Sequence, residues 1–486
     1  MKKPDELPIN PKDWEATPLV VQTLVVMLWQ EKQVMAEQIM QLQKQVTGLQ
    51  KEIERLQERV GKNSQNSSKP PSSDPPDMKA KPPRDPKGRK AGGQPGHRGK
   101  GRKHKPLECV DHVRKQKPTE CKECGALLMG EDVQPRRHQV IELPRVKPEI
   151  TEYQLHTLTC LACGCKNKAE WPSNMPSGSY GPRTQATLGY LSGRFGISKR
   201  DMQEIMRTIF RTEISLGSVP AQERCVSTGL KKPVQEVYEY VQKQPSINLD
   251  ETSWHELNKK IWLWVGSTPQ VTVFHLFKTR GSKGAQQLVG TDYDGIVGSD
   301  RYSAYNWIDP EKRQVCWAHL KRDFQALVDR GGESKTIGRL LLAEIRQFFN
   351  LWHRVRDGTL SRSEFQVAMQ PIQKDVHCLL QIGTHVEHKK TRKTCKNILK
   401  VEPALWTFVK QIGVEPTNNA AERALRRGVI WRRRSFGTQS EQGSRFVERI
   451  LTVVISLRQQ NRDVLDFLTQ VCTPDQPVPS LLPVTN

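Results

Sequence analysis

Three acidic side chains, Asp250, Asp300 and Glu422, occupy positions from which carboxylates can bind divalent cations. Asp250 follows the apolar run 247–249 at the end of a predicted strand, and Asp300 follows the run 295–299 at the end of another. Acids at the ends of nearby strands can point to one spot. Carboxylate oxygens suit Mg²⁺ or Mn²⁺. Two such ions beside a phosphate would stabilise both the attacking and the leaving oxygen, so the pattern predicts phosphoryl-transfer chemistry.

The order of the surrounding elements favours Asp250 and Asp300 over the competing acids Glu251, Asp292 and Asp294. A single Asp is more often a turn residue. Here three β-rich runs and a helix precede the strand that bears the second acid, and a fifth strand leads into a helix. These elements cover residues 246–254, 259–267, 271–278, 281–289, 294–305 and 313–328. This order resembles the ribonuclease H-like fold, and residues 336–412 then form a mostly helical insertion.

Glu422 is the third candidate acid because it lies in a predicted helix beside a dense run of arginines. Asn418, Glu422 and Arg426 recur every four residues and share one helix face. A carboxylate next to cations that clamp phosphate suits a metal-dependent site on nucleic acid. The alternative is a capping box in which Glu422 pairs with Asn419 to begin the helix. The candidate phosphate-binding arginines are Arg423, Arg426, Arg427, Arg432, Arg433 and Arg434.

Two CxxCG pairs predict one structural Zn²⁺ bound by Cys121, Cys124, Cys160 and Cys163. Four thiolates supply a closed tetrahedral site, which leaves no position for catalysis. The chain has 11 cysteines, an odd number, and this usage fits a reducing compartment better than a disulfide framework. Cys165 is a spare or alternative ligand. The pairs Cys109 with His112 and Cys316 with His319 are weaker metal candidates, although His319 near the acids is not excluded.

The formal charge of +24 indicates a polyanionic partner, because the positive charge is clustered. Residues 79–105 carry eleven Lys or Arg against Asp85 alone, interleaved with Gly and Pro. Such an arm can follow a phosphate backbone, although a solvated linker is the alternative. The candidate contacts in the arm are Lys87, Arg89, Lys90, Arg98, Lys100, Arg102 and Lys103.

Residues 19–60 are predicted to form one long helix with a coiled-coil stripe. Its apolar residues alternate in steps of four and three, at Met35, Ile39, Leu42, Val46, Leu49, Ile53, Leu56 and Val60. This pattern favours a homo-oligomer, and packing on the same chain is the alternative. No apolar run is long enough for a membrane span, and the N-terminus has no signal-peptide pattern.

The chain is thus expected to be a multidomain α/β protein. The predicted segments are a coiled-coil helix at 15–60, a disordered basic linker at 61–106, a zinc-binding domain at 107–172 and a helical DNA-binding segment at 173–240. They continue with a catalytic domain at 241–470, with an insertion at about 330–412, and a flexible tail at 471–486. Short strands are expected at 138–144 and 150–160, and a last pair of helices at about 418–430 and 441–470. The segment 173–240 resembles a helix-turn-helix, and a plain helical hairpin is the alternative.

Several long motifs resemble the insertion-sequence-66 family of bacterial transposases, in order over residues from about 15 to 470. They are GKNSQNSSKPPSSD, GGQPGHRG, the two CxxC pairs, LDETSW, SDRYSAYNW, CWAHLKRDF and TNNAAERALRRGVIWRRRSFGT. The resemblance implies a ribonuclease H-like core with an Asp, Asp, Glu triad, which falls on Asp250, Asp300 and Glu422. It also implies magnesium, DNA ends with inverted repeats as substrate, and small accessory proteins as partners.

One position departs from the wider pattern of acid-triad enzymes. Many of these enzymes carry Lys or Arg seven residues after the Glu, and Val429 occupies that position here, so Arg426 or Arg427 would have to substitute. The leading hypothesis is a cytoplasmic, nucleoid-associated DNA transposase that cleaves and joins strands. The alternatives are a non-catalytic DNA-binding regulator derived from a transposase, and a ribonuclease H-like nuclease without strand transfer.

Overall fold

The computed structural model describes Lys3 and residues 7–63, 67–68, 103–176 and 178–483. The helices are α1 Pro11–Ala16, α2 Leu19–Gly61, α3 Pro182–Tyr190, α4 Lys199–Thr208, α5 Ser218–Gly229, α6 Lys231–Val241, α7 Ser282–Val289, α8 Trp317–Asp329, α9 Gly332–Arg356, α10 Arg362–Gly383, α11 Lys389–Leu399, α12 Thr407–Lys410, α13 Asn419–Ser435, α14 Glu441–Gln459 and α15 Val464–Cys472. The strands are β1 Thr157–Thr159, β2 Lys166–Lys168, β3 Ser246–Glu256, β4 Lys259–Ser267, β5 Thr272–Phe277, β6 Ile296–Ser299 and β7 Arg313–Val315.

The chain divides into two compact units. The first comprises Met1–Met78 and Trp317–Lys410, and the second comprises Lys79–Cys316 and Gln411–Asn486. The first unit is helical where described. Its core is aromatic, and the Trp317 ring lies 4.9 Å from Phe348, with the Trp317 indole donating to the Leu405 carbonyl at 2.8 Å. Among the described residues, no helix combines the length and apolarity that a membrane span needs.

Helix α2 confirms the long N-terminal helix that the apolar spacing predicts. Its stripe faces solvent, with Ile39, Leu42 and Leu49 each more than half exposed, at 55%, 58% and 64%. Exposure of these side chains is unfavourable, because burying apolar surface lowers the free energy by roughly 25 cal/mol per Å². The stripe therefore leaves a row of apolar side chains in contact with water.

The second unit is built on a mixed sheet of five strands in the order β5-β4-β3-β6-β7. Strand β4 pairs antiparallel to both β3 and β5, whereas β6 pairs parallel to β3 and β7 parallel to β6. The three predicted β-rich runs, the following helix and the fourth and fifth strands are all present. The α/β fold class is therefore confirmed.

The two faces of the sheet bury different helices because successive residues of a strand point to opposite sides. Ile247 and Leu249 of β3 belong to the core that contains Leu288 of α7. Trp254 of β3 belongs to another core, with Leu425 of α13. Asp250 shares the parity of Trp254, so it lies on the α13 face.

The outer edge of β5 is covered by side chains of α14. Glu448, Thr452 and Ser456, here called the α14 polar stripe, accept hydrogen bonds from the backbone N–H groups of Leu276, Phe274 and Thr272 at 2.5, 3.0 and 3.0 Å. All three stripe residues are buried. The helix thus supplies the partners that a further strand would otherwise provide for this edge.

Three predictions of secondary structure are wrong in detail. Residues 138–144 are not a strand: the Gln139 side chain exchanges hydrogen bonds with the Lys105 backbone, but the segment joins neither described sheet. Within 150–160 the strand is limited to β1. The helix predicted at 441–470 is two helices. Asn461 has a left-handed φ of 54°, and the Asp463 side chain then accepts from the Asp466 N–H at 2.8 Å to begin α15.

The remaining differences concern the helical segment before the sheet and the C-terminus. Helix α3 continues as a π-helical turn that ends at Gly196, with φ 63°, and Ser198 caps α4. A helix, glycine turn and helix are therefore present as expected. Within the tail predicted to be flexible, Leu481 is fully buried, and its carbonyl accepts from Gln460 at 3.0 Å. The tail thus packs on the core at this point.

Candidate active site

Asp250 and Asp300 lie side by side on neighbouring parallel strands. Asn248 of β3 is paired with Gly298 of β6, so continuing each strand by two residues brings the two acids level. Asp300 directly follows β6 as predicted, and its carboxylate accepts from the Tyr302 N–H at 2.9 Å. Asp250 does not end its strand, because β3 continues to Glu256 paired with β4. The prediction of a strand end at Asp250 is therefore wrong, although it stands where the parallel pairing stops.

Glu422 is in the first turn of α13, and the capping box with Asn419 is not formed. Asn419 is the first helical residue, and Asn418 at the N-cap makes no side-chain capping hydrogen bond. Instead, the buried Asn418 amide donates to the carbonyl of Leu249 at 2.7 Å. Leu249 directly precedes Asp250. This bond ties the start of the helix that carries Glu422 to the strand that carries Asp250.

The acids interact electrostatically at this point. The pKa of Asp250 is raised well above its usual range, first by burial and then by the charge of Glu251, with further contributions from Asp300 and Glu422. The first cause is desolvation, although Asp250 remains partly exposed. The other contributions place Asp300 and Glu422 within electrostatic range of the Asp250 carboxyl. Carboxylates are hard oxygen ligands for a divalent cation, although among the described residues oxygens of all three acids do not come within 4.8 Å of one another.

Glu251, the nearest competing acid, is committed to a buried network on the opposite face of β3. Arg280 Nε donates to its carboxylate at 2.9 Å and the Tyr305 hydroxyl donates at 2.5 Å. Burial raises the pKa of Glu251, and these two donors lower it in part. Asp292 and Asp294 are exposed, and Asp294 pairs with Lys312. Among the competitors, Glu251 therefore influences the site through its charge and packing.

Arg313, which the sequence did not single out, holds the loop that begins at Asp300. It is buried in β7 and donates to the backbone carbonyl of Asp300 at 2.6 Å and to the Ser299 hydroxyl at 3.0 Å. Burial lowers the pKa of Arg313 to about 10, which leaves the guanidinium charged at neutral pH. The signal in the sequence was a lone arginine inside a β-rich run, 13 residues after the acid.

The arginines after Glu422 divide into exposed and engaged side chains. Arg432 is partly buried and donates to Thr252 Oγ1 at 2.9 Å and Ser253 Oγ at 2.6 Å, so it fixes α13 on β3. Arg434 donates to the carbonyls of Phe195 and Gly196 at 3.0 and 3.3 Å. The remaining candidates, Arg423, Arg426, Arg427 and Arg433, are exposed. The exposed set is available to bind phosphate.

A family model described as "Transposase IS66 family" matches residues 177–445, more than half of the chain. The chain belongs to the IS66 family of transposases. A second model, described as the zinc-finger binding domain of transposase IS66, matches residues 118–164, and a family of unknown function matches residues 16–103. The resemblance that the sequence motifs carry is therefore confirmed.

Two curated relatives from Sinorhizobium fredii carry no functional description. "Uncharacterized protein y4hP" is 27% identical over 414 residues, which are 75% of this chain and 72% of the relative. "Uncharacterized protein y4qI" is 26% identical over 269 residues, 49% of each chain. The IS66 membership therefore rests on the family models.

The zinc-finger domain of this IS66 chain contains two loops with the same backbone geometry. Gly125 and Gly164, with φ of 72° and 73°, donate to the carbonyls of Cys121 and Cys160 at 2.9 and 2.8 Å. Such a left-handed turn suits glycine. Backbone hydrogen bonds, led by the residue three positions on, lower the pKa of both Cys121 and Cys160. Each loop therefore favours the thiolate that zinc binds.

The two cysteines of each CxxC pair share one loop, but the structure does not bring the two pairs together around one point. Within the described residues, no three of the four predicted sulfurs lie within 4.8 Å of one another. Cys165, Cys109 and His112 are exposed. The chemistry of the paired thiols fits zinc, and a shared four-thiolate site stays a prediction.

The remaining candidates of the sequence analysis are Cys316, His319 and the basic arm. Cys316 is buried, and its sulfur accepts from the Asn418 N–H at 3.2 Å, so it supports the start of α13. His319 lies in α8. Lys103 of the basic arm is exposed. The remaining arm candidates, Lys87, Arg89, Lys90, Arg98, Lys100 and Arg102, lie outside the described residues.

Proposed function

We propose that this IS66 family member is a DNA transposase whose reaction centre consists of Asp250, Asp300 and Glu422 on a ribonuclease H-like core. The observation that carries the proposal is the pairing of Asn248 with Gly298, which brings Asp250 and Asp300 level, together with the hydrogen bond from Asn418, at the start of the helix of Glu422, to the Leu249 carbonyl. The strand order and the change from antiparallel to parallel pairing at β3 support the choice of core.

The three carboxylates would hold two Mg²⁺ or Mn²⁺ ions. When bound, such ions stabilise charge on the attacking and leaving oxygens of a phosphodiester. The chain's own part is to place its carboxylates, through the Asn418 and Arg313 hydrogen bonds, and to hold the DNA backbone with exposed arginines. Water attacks the phosphorus and the bond to the 3′-oxygen breaks, which frees a 3′-hydroxyl. That hydroxyl then attacks a target phosphodiester, so no covalent protein intermediate is needed.

The test uses purified full-length protein and a labelled DNA end that carries the inverted repeat of its element, with Mg²⁺ or Mn²⁺. Wild type is expected to give cleaved and joined products, and Asp300→Ala none. Asp294→Ala is the matched control, because Asp294 is an exposed acid paired with Lys312. Equal products from wild type and Asp300→Ala would refute the assignment.

Two other outcomes separate the alternatives. Cleavage without joined products would favour a nuclease. Specific binding without cleavage, unchanged when the accessory proteins of the element are added, would favour a DNA-binding regulator. We further propose that the protein acts in the cytoplasm at the nucleoid, where its DNA substrate lies.

We also propose that α2 pairs two copies of the chain as a coiled coil. The support is the heptad spacing together with the exposure of Ile39, Leu42 and Leu49 on a helix of 43 residues. Leu42→Lys is expected to reduce the mass found by light scattering to that of one chain, whereas Gln43→Lys should leave it unchanged. A wild-type protein with the mass of one chain would contradict the proposal.

Finally, we propose one structural Zn²⁺ held by Cys121, Cys124, Cys160 and Cys163. The matched backbone loops and the zinc-finger family match support it. A bound ion would draw the two loops together, because four thiolates complete its tetrahedral coordination. Metal analysis of freshly purified, reduced protein is expected to give one zinc per chain.

A further inference from the structure

A cleft of about 450 Å³ lies on the side of α13 that faces α14, and four arginines from three elements line it: Arg194, Arg423, Arg427 and Arg458. Arg194 belongs to the π-helical turn after α3, and Arg458 to the last turn of α14. Neither was singled out by the sequence. Glu422 is not among the lining residues, so the cleft is distinct from the acidic site.

The four cations have no anionic partner in the described part of the chain. None of them forms a salt bridge there, and Arg194 Nε is buried without a hydrogen-bond partner. Burial lowers the pKa of Arg194, and the charges of Arg427 and Arg458 lower it further. Like charges at such range repel, and an anion between them would replace the repulsion with attraction.

Part of the cleft lining is apolar. Leu451, Val454 and Ile455 of α14 and Ala420 and Ala424 of α13 contribute to it, beside the polar Ser267 and Gln459. A volume of about 450 Å³ lies within the common range for small-molecule sites, roughly 300–1,000 Å³. A group of nucleotide size, with a charged phosphate at the arginines and a less polar sugar or base beside the apolar residues, matches this mixed lining.

We propose that the cleft binds a phosphate ester of a single DNA strand, with Arg194 and Arg458 as added ligands beside Arg423 and Arg427. The proposal rests on the proposed transposase function, because that function supplies the strand. A free nucleoside polyphosphate carries the same chemistry. A cleft that admits one nucleotide-sized group favours a single strand, because a nucleotide within a duplex would have to leave its base stack to enter the cleft.

The test compares full-length wild type with Arg194→Gln/Arg458→Gln for binding of a fluorescein-labelled oligothymidine at several KCl concentrations in EDTA. The control is Arg339→Gln/Arg346→Gln, which removes two exposed arginines of α9 and the same total charge. The cleft variant is expected to bind about tenfold more weakly or worse, since hydrogen bonds to charged groups are worth that much. The slope of log K against log salt should become shallower by about 1.4, which is two phosphate contacts at about 0.7 each.

Thermal unfolding checks that the variants fold and identifies the source of the phosphate. The cleft variant should melt no lower than wild type, because it removes charges that make no salt bridge. If tripolyphosphate raises the melting temperature of wild type but not of the cleft variant, and oligothymidine binding is unchanged, the ligand is a free polyphosphate and the strand proposal is overturned. Equal binding and equal salt slopes for cleft variant and control overturn it as well.

Failure of this proposal is distinguishable from failure of the proposed function. The binding assay runs in EDTA and needs no catalysis, so its readout does not depend on strand cleavage. A chain that binds through the cleft but never cleaves DNA would retain this inference and lose the catalytic one. A chain that cleaves DNA with an unaffected cleft variant would do the reverse.

Discussion

Replacing Asn418 by Ala tests whether a buried side-chain hydrogen bond positions the acid on α13. The change removes the 2.7 Å bond to the Leu249 carbonyl and leaves that oxygen with one partner fewer in a buried place. A lost buried hydrogen bond with an unsatisfied partner costs about 1–3 kcal/mol. The Asn418 Oδ1 atom is itself buried without a hydrogen-bond partner, so its removal offsets part of the loss. We therefore expect a destabilisation of about 1–2 kcal/mol.

The Asn418→Ala variant should lose more DNA-cleavage activity than its loss of folding stability can explain. A displacement of about 1 Å at a reacting centre can lower a rate by about 10²-fold. Urea unfolding measures the loss of stability. DNA cleavage, assayed at a temperature well below the unfolding transition, measures the loss of activity. Asn419→Ala is the matched control, because Asn419 is adjacent, exposed and inside the helix, and should change stability by less than about 0.5 kcal/mol.

The two variants give opposite results under the two accounts of Glu422. If Glu422 merely capped the helix with Asn419, Asn419→Ala would be the more damaging change. A larger loss for Asn419→Ala, or wild-type cleavage by Asn418→Ala, would refute the positioning role.

Three further predictions concern single groups. Asp250→Asn should raise the thermal midpoint in EDTA at neutral pH. The folded pKa of Asp250 is raised, so its contribution to stability is present below the unfolded pKa and lost as pH rises, and the gain should shrink in acid. Zinc content should fall to near zero in Cys121→Ser or Cys160→Ser and persist in Cys165→Ser, and equal loss in all three would contradict the assignment. Burial raises the pKa of Cys472 to about 12, so iodoacetamide at pH 8 should leave it unmodified in folded protein, and stability should decline as pH rises above about 8.5, where the unfolded thiol ionises.

The sequence predicted the sheet well because its signals are local. Each strand is a short β-rich run, and Asp300 directly follows the run that forms β6. The break at Asn461 was missed because the apolar pattern continues through it, although Asp463 is a typical N-cap residue. The run at 138–144 has strand composition, but strand formation also needs a partner, which composition does not reveal.

The supports of the site were harder to foresee than its acids. Asn418 and Arg313 act on backbone carbonyls, and Asn418 reaches a segment 169 residues away. Any residue can supply a backbone carbonyl, so a sequence motif does not reveal which segment such a side chain will contact. The arginine cleft was missed for a related reason, because its four arginines come from three separate helical elements, and the lone Arg194 and Arg458 carry no local signal.

The α14 polar stripe sets a limit on the length of strand β5. Residues four apart on a helix advance about 6.0 Å, whereas residues two apart on an antiparallel strand advance about 6.8 Å. The two periods drift apart by about 0.8 Å at each step, so only a few side chains can stay in register with the N–H groups. Glu448, the longest side chain of the stripe, stands at one end, where extra reach compensates for the drift. An insertion of two residues in β5 would therefore add an N–H group that α14 cannot meet, and would open that edge to another strand.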